Sequence, residues 1–281
     1  MRLLAATCHA LGETTIERGD YLVNTITACG NCHSPRKAEG RIIADKALSG
    51  GLTFDTPTFV TTAPNITPDR ETGIGSWSDA EIKRLLVEGV RPDHGRPPGT
   101  QLAAMMPANF YKALLPDDLA AVVAYLRSIK PVRNEVAVPV HKLPIHRDAY
   151  PEAEAGFSQA MMTNPVQHGA YLAAIGHCIE LSPGVLARRQ RFQDRARQGR
   201  PRLPVARRRA RQPNQRRCQH HLASDRRHRR LERCGNRPRH PERLRRDGRA
   251  LQPPMAFGFY AGIRESGVKD IIAHFALRAA A

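Results

Sequence analysis

Apolar residues return every three or four positions in three short stretches of the first 135 residues, the interval that lines one face of a helix. The first stretch follows Thr14 and Glu17, a capping-box pair, and runs through Tyr21, Leu22 and Ile26. The second follows Ser78 and Glu81, again a capping box, and carries Ile82, Leu85, Leu86 and Val90 until Pro92 stops it. The third opens at Pro116-Asp117-Asp118, places Leu119, Val122, Val123 and Leu126 on one face, and ends before Pro131. Between them the pattern lapses. Gly50 to Ser76 keeps no period and holds Pro57, Pro64, Pro68, Gly73 and Gly75, while Arg91 to Pro107 is broken by Pro92, Gly95, Pro97, Pro98 and Gly99. Both read as loops, and loops this long in a compact domain are often functional. Nothing alternates like a strand. The pattern predicts a small all-α domain over residues 13–135, with so much loop for its core that something besides side chains fills its centre.

Residues 136–164 are polar and proline-punctuated and read as a linker. From 165 the same design returns. Phe110-Tyr111 reappears as Phe259-Tyr260, Leu119, Val122 and Val123 as Val268, Ile271 and Ile272, Met106 as Met255, and Cys29 as Cys178, every pair 149 positions apart. A second copy of the domain is therefore expected over 165–281. Its middle, residues 181–250, looks like nothing in the first copy.

Charge sharpens that contrast. The 281 residues carry a formal net charge of +18, which at face value points to nucleic acid or an anionic membrane. Residues 1–180, however, hold 17 Lys and Arg against 19 Asp and Glu, whereas residues 181–250 hold 24 Arg, no Lys and five acids. The whole excess sits in one block, and that block offers Phe192 as its single aromatic ring and no periodic order for reading nucleic acid. No apolar run approaches the roughly 18 residues of a membrane span. Six cysteines (Cys8, Cys29, Cys32, Cys178, Cys218, Cys234) are too scattered for a disulfide scaffold. Residues 1–12 look like the remnant of an export signal, too short to be a whole one.

The candidate chemistry is Cys29-Gly30-Asn31-Cys32-His33, a C-x-x-C-H run of the kind that attaches c-type haem. Two thiols three positions apart can each add to one vinyl group of a haem, and the adjacent imidazole then reaches the iron. Two other chemistries use paired cysteines. A thiol–disulfide oxidoreductase would place Cys29 and Cys32 after a strand in a βαβ unit, and a zinc site would need a second ligand pair. The sequence shows neither. The second axial ligand is expected from the proline-rich loop before the last helix, where Met105, Met106 and His94 lie. Only Met106 has a counterpart in the repeat, Met255, which favours Met106 over a lone core methionine.

Beyond the haem motif, Arg18-Gly19 with Tyr21-Leu22, Asn65-Ile66-Thr67-Pro68-Asp69 and Gly73-Ile74-Gly75-Ser76-Trp77-Ser78-Asp79-Ala80-Glu81-Ile82 resemble the dihaem or multihaem cytochrome c subunits of membrane-associated, alcohol-type dehydrogenases. The resemblance covers 13–135 well and 165–180 and 251–275 in outline. It implies a cytochrome c-like fold of short helices and long loops around covalent haem c. It implies Cys29 and Cys32 as thioether sites and His33 and Met106 as axial iron ligands. It also implies an electron-transfer protein rather than a catalyst, passing electrons from a dehydrogenase subunit to quinone or a terminal oxidase. The implied site is the periplasm, with membrane contact only through a partner and no nucleic acid involved.

The second copy breaks where its own motif should be, reading Cys178-Ile179-Glu180-Leu181-Ser182. Lysine-free arginine richness is what a GC-rich gene gives when read out of frame. Shifting Leu181-Ser182-Pro183 by one base can give Cys-His, which restores C-x-x-C-H after Glu180. The same shift of Leu231 to Arg237 can give Trp-Ser-Asp-Ala-Glu-Ile, the residues at Trp77 to Ile82, and Gln219 to Leu222 can give Asn-Ile-Thr. Residues 181 to about 244 are therefore expected to be a frameshifted and disordered reading of a second haem domain. Cys178 and Met255 would then be remnants of its site, and the printed chain would carry one haem where an intact parent carries two. The rival reading of the block is an arginine-rich nucleic-acid-binding segment.

Overall fold

The computed structural model describes residues 12–92, 101–145, 147, 149–178 and 256–280. The expectations placed on residues 1–11, His94, the arginine-rich block with Cys218 and Cys234, and Met255 lie outside the described residues.

Helix α1 (Thr15–Tyr21) starts where the capping box places it. The Thr14 hydroxyl accepts from the Glu17 amide at 3.2 Å, and the Glu17 carboxylate accepts from the Thr14 amide at 2.8 Å. The helix does not run on unchanged. Leu22–Ile26 widens into a π-helix, closed by the Thr27 amide donating to the Leu22 carbonyl at 2.9 Å. A single turn, α2 (Gly30–His33), follows. Helix α3 (Asp79–Glu88) carries the second capping box, Ser78 with Glu81, and ends on Gly89 in the left-handed region at φ 71°. A short α4 (Ala108–Tyr111) leads into α5 (Pro116–Ser128), with proline at its start and two aspartates in its first turn.

Helices α1 and α5 cross in close contact. Gly19 permits it, because a Cβ there would collide with the Ala121 carbonyl oxygen. The crossing is fastened by Arg18, whose guanidinium donates to both oxygens of the buried Asp118 at 2.7 and 2.8 Å. Leu22, Ile26, Ile82, Phe110, Val122 and Val123 form the buried centre beneath it.

The all-α expectation requires correction, because the structure is mostly helical with a small sheet. Strands β1 (Thr53–Asp55), β2 (Phe59–Thr62) and β3 (Val140–His141) form an antiparallel sheet in that order. Thr53 lies opposite Thr62, and Phe59 lies opposite His141. Strands of two to four residues are too short to show alternation, and the third arrives from far along the chain. The stretch read as a linker is also part of the body. It supplies β3, helix α6 (Pro151–Glu154) and a 3₁₀ segment (Gln159–Thr163), and Tyr150 stacks on Phe110 with ring centroids 4.1 Å apart.

Helix α7 (Pro165–Ile175) is capped by Asn164, whose side chain accepts from the Val166 and Gln167 amides. It packs along α9 (Glu265–Ala280), with the short α8 (Phe257–Tyr260) before that. Here Gly169 makes the close approach, since a Cβ would collide with the Asp270 carbonyl oxygen. His168 Nδ1 pairs with the Asp270 carboxylate at 2.7 Å. Among the described residues no helix is long and apolar enough to cross a membrane.

Gly19→Leu is expected to cost about 2–3 kcal/mol through overpacking at the α1–α5 crossing, read by denaturant unfolding. His177 is half-buried beside the rings of Phe110 and Tyr111, and desolvation there pushes its pKa down to about 4. Between pH 6.5 and 4 the unfolded chain binds a proton that the folded chain refuses, so stability falls as pH falls, by about 3 kcal/mol at most. Equilibrium unfolding across that window should show the slope, and His177→Gln should flatten it.

Candidate functional site

The site is built from one turn and the loop that holds it. Ala28 adopts a left-handed conformation, φ 49°, which breaks the helical path and lets Cys29 begin a new turn. Within that turn the Asn31 amide donates to the Ala28 carbonyl at 2.8 Å and the His33 amide to the Cys29 carbonyl at 2.9 Å. Cys29, Cys32 and His33 are thus brought onto one helical turn, the two cysteines half-buried and His33 buried. The chain then doubles back, with the Gly50 amide donating to the His33 carbonyl at 2.8 Å and the Leu52 amide to the Cys32 carbonyl at 3.0 Å. Gly50 has φ 97°, a conformation that calls for glycine.

His33 Nδ1 lies 2.7 Å from the Pro64 carbonyl oxygen. A carbonyl can only accept, so Nδ1 carries the proton and Nε2 carries the lone pair. Burial pushes the His33 pKa down, against the raising effect of the Pro64 bond, and keeps the ring neutral. A neutral imidazole with its distal nitrogen bare is the form that binds metal.

Pro64 is held by its neighbour. The buried Asn65 donates to the Val132 carbonyl at 2.7 Å and to the Thr72 hydroxyl at 3.0 Å, and its oxygen accepts from the Thr67 amide and hydroxyl. Asp69 closes the next turn by accepting from the Thr72 amide and hydroxyl, both at 2.7 Å. A Cβ on Gly73 or Gly75 would collide with the carbonyl oxygens of Thr67 or Pro68, which accounts for both glycines before Trp77. Beside Pro64 and Asn65 opens a cavity of about 570 Å³, lined also by Trp77, by Arg70, Arg91 and Arg133, and by Glu71 and Glu135. The Arg91 guanidinium lies 5.2 Å from the centre of the Trp77 ring.

Burial pushes the Cys29 thiol up to about 11 and raises Cys32 as well. Reactive disulfide-exchange cysteines are shifted the other way. The element feeding this turn is a π-helix, not the strand of a redox-active βαβ unit. Among the described residues no three His, Cys, Asp or Glu side chains converge as a zinc site would require.

Of the loop methionines, Met105 is 48% exposed while Met106 is half-buried against the core. Arg147 holds that loop by donating to the Met106 carbonyl and, at 2.7 and 3.1 Å, to the carbonyls of Leu102 and Ala103. Cys178 is half-buried just beyond α7. Two thiols, an oriented imidazole and a half-buried thioether are donors of the kinds that covalent haem takes. No local signal in the sequence marks Pro64, which acts through a carbonyl that any residue has. Asn65 stands in a recognisable motif, but its hydrogen bond to the Val132 carbonyl reaches far along the chain and carries no local signal.

Asn65→Leu is expected to strand the Thr67 amide and leave the Val132 carbonyl only the 3.3 Å bond from the Thr67 hydroxyl, costing about 2 kcal/mol in unfolding experiments. It should also loosen the Pro64 carbonyl, so that long-range nitrogen–proton NMR correlations show His33 losing its single tautomer.

No family model matches the chain. Individual curated proteins do. It is 34% identical over 172 residues to a component of the nicotinate dehydrogenase of Pseudomonas putida, covering 58% of this chain and 13% of that protein. It is 38% identical over 113 residues to the fructose dehydrogenase cytochrome subunit of Gluconobacter japonicus, covering 40% and 21%. It is 33% identical over 187 residues to the cytochrome c subunit of the quinone-type alcohol dehydrogenase of Gluconobacter oxydans, covering 63% and 36%. The chain thus spans little more than a third of these relatives at most. Over the stretches shared with them, it is a homologue of the cytochrome c subunits of dehydrogenases.

Proposed function

We propose that this chain is a c-type cytochrome that carries electrons through covalently bound haem c in the service of a dehydrogenase. The observation that carries the reading is the turn from Cys29 to His33, with His33 Nδ1 committed to the Pro64 carbonyl at 2.7 Å and Nε2 left as the donor nitrogen. Cys29 and Cys32 would hold the haem through two thioether bonds, and His33 and Met106 would ligate its iron. Bound there, haem supplies a one-electron ferric–ferrous couple. The chain's own residues do the rest. The Pro64 bond orients the His33 ring and raises its basicity. The buried Leu22, Ile26, Phe110 and Tyr111 keep water from the centre. A soft thioether from Met106 would set the potential above that of a bis-histidine site. The electron is taken from a dehydrogenase subunit and given to quinone or a terminal oxidase, in the periplasm.

The domain reading is part of the same proposal. Residues 13–135 are the haem-binding domain, and residues from 165 onward are its second copy, interrupted by a displaced reading frame between 181 and about 244. The restorable Cys-His and Trp-Ser-Asp-Ala-Glu-Ile stretches support it, because one frame supplies both. Cys178 and Met255 are then parts of a second site that the printed chain cannot complete.

Expression alongside a c-type maturation system should give a red protein whose haem survives a denaturing gel, at one haem per chain. Cys32→Ser should reduce the attachment to a single thioether, visible as a red-shifted reduced band, and His33→Ala should abolish the low-spin spectrum. A colourless chain with an exchangeable Cys29–Cys32 disulfide would sink the reading in favour of a thiol–disulfide oxidoreductase. Restoring the frame across codons 181–244 should raise the count to two haems per chain. An uninterrupted gene without a base error there would end the frameshift reading.

A further inference from the structure

The contacts between the two parts of the chain repeat themselves with the partners exchanged. The Arg264 amide donates to the Tyr21 hydroxyl at 3.3 Å, and the Leu115 amide donates to the Tyr171 hydroxyl at 3.4 Å. Arg264 lies 149 positions after Leu115, and Tyr171 lies 150 after Tyr21. Each tyrosine of a first helix therefore caps the entry to the other part's last helix, α9 in one case and α5 in the other. Next to these locks a Cβ on Gly267 would sit 3.6 Å from the Tyr21 hydroxyl, and Asp118, 149 positions earlier, accepts from the Tyr171 hydroxyl.

The aromatic pairs exchange in the same way. Helix α8 packs on the π-helix before Cys29, and α4, 149 positions earlier, packs on α7 before Cys178. The Phe259 ring edge comes within 3.0 Å of a Cβ placed on Gly30, while Phe110 and Tyr111 lie against His177 with ring centroids 5.7 and 5.4 Å away. Ala28 and His177, again 149 apart, are both left-handed, at φ 49° and 59°. Where the two turns meet, a Cβ on Gly176 would lie 3.3 Å from the Ile26 carbonyl oxygen, so each approaches nearly its own counterpart. Contact of i with j matched by j with i, and near-self contact at the centre, are the marks of a two-fold axis.

We infer that the face of residues 13–135 around Tyr21, Thr25, Gly30, Tyr111 and Leu115 is self-complementary, a docking surface whose partner is a second copy of itself. In this chain the copy is internal, residues 165–177 and 256–275. The inference rests on the repeat proposed above and on the reciprocal contacts, not on haem binding. A surface that accepts its own repeat accepts the same surface from another molecule once the internal occupant is removed. Because an isologous contact closes on itself, the product is a dimer and not a chain of higher order.

The test uses the full-length haem-loaded chain and light scattering across a concentration series. Gly169→Leu forces α9 off α7 and frees the face. The expected result is a monomeric parent and a variant whose mass doubles and then stops rising, with haem per chain unchanged. Adding Tyr21→Glu to that variant should return it to monomer, since it buries a charge at the lock on both sides of the axis. Tyr171→Glu, which strips only the second part's lock, serves as an independent route to the freed face should Gly169→Leu abolish the cooperative unfolding of residues 13–135. A freed face that stays monomeric, aggregates without limit, or dimerises regardless of Tyr21→Glu overturns the inference. Loss of haem alone would count against the cytochrome reading and leave the mass measurement to decide this one.

Discussion

The rest of the structure hangs on the close crossing of α1 and α5, which brings two backbones into contact at Gly19 and Ala121. That approach holds the exit of α1 against the core, and the exit is where the π-helix and the Cys29 turn begin. The Arg18–Asp118 pair fixes the rotation of one helix on the other, because a bidentate bond tolerates little twist. Asp118 is buried, so the pair also satisfies a carboxylate that would otherwise be costly inside the protein. Position and orientation of the candidate site are therefore set about one helix length away from its own residues.

A second tier of positioning comes from a loop without regular structure. The segment from Pro64 to Trp77 is shaped by Asn65, Asp69, Gly73 and Gly75, and its product is one carbonyl oxygen aimed at His33. Backbone groups in irregular segments must find partners. Here the side chains of Asn65 and Asp69 and the Thr72 hydroxyl provide them, so the loop is as determined as a helix.

Much of this was legible in the sequence because its signals are local. Capping boxes at Thr14 and Ser78, the proline opening of α5 and the C-x-x-C-H turn all act over three or four residues, and all lie where the pattern places them. What was not legible acts at a distance or through the backbone. The sheet joins Phe59 to His141 across most of the first part of the chain, with strands too short to alternate. The stretch 136–164 buries Tyr150 and Ala153, and Tyr150 does so on Phe110, forty residues away in sequence. The π-helix leaves no mark in a hydrophobic pattern, because Leu22, Val23 and Ile26 are buried on either geometry.

That π-helix separates two demands that a plain helix would bind together. From Tyr21 to Cys29 the chain takes eight steps, and from Tyr171 to Cys178 it takes seven, with α7 regular almost to its end. In a regular helix one extra residue would swing everything downstream by a quarter turn or more. Taken up as a bulge, it leaves Tyr21 facing outward to its lock while the turn keeps its cysteines and histidine in their own phase. The helix works as a coupling with slip, in which the fastening surface and the chemical turn can be adjusted one without the other.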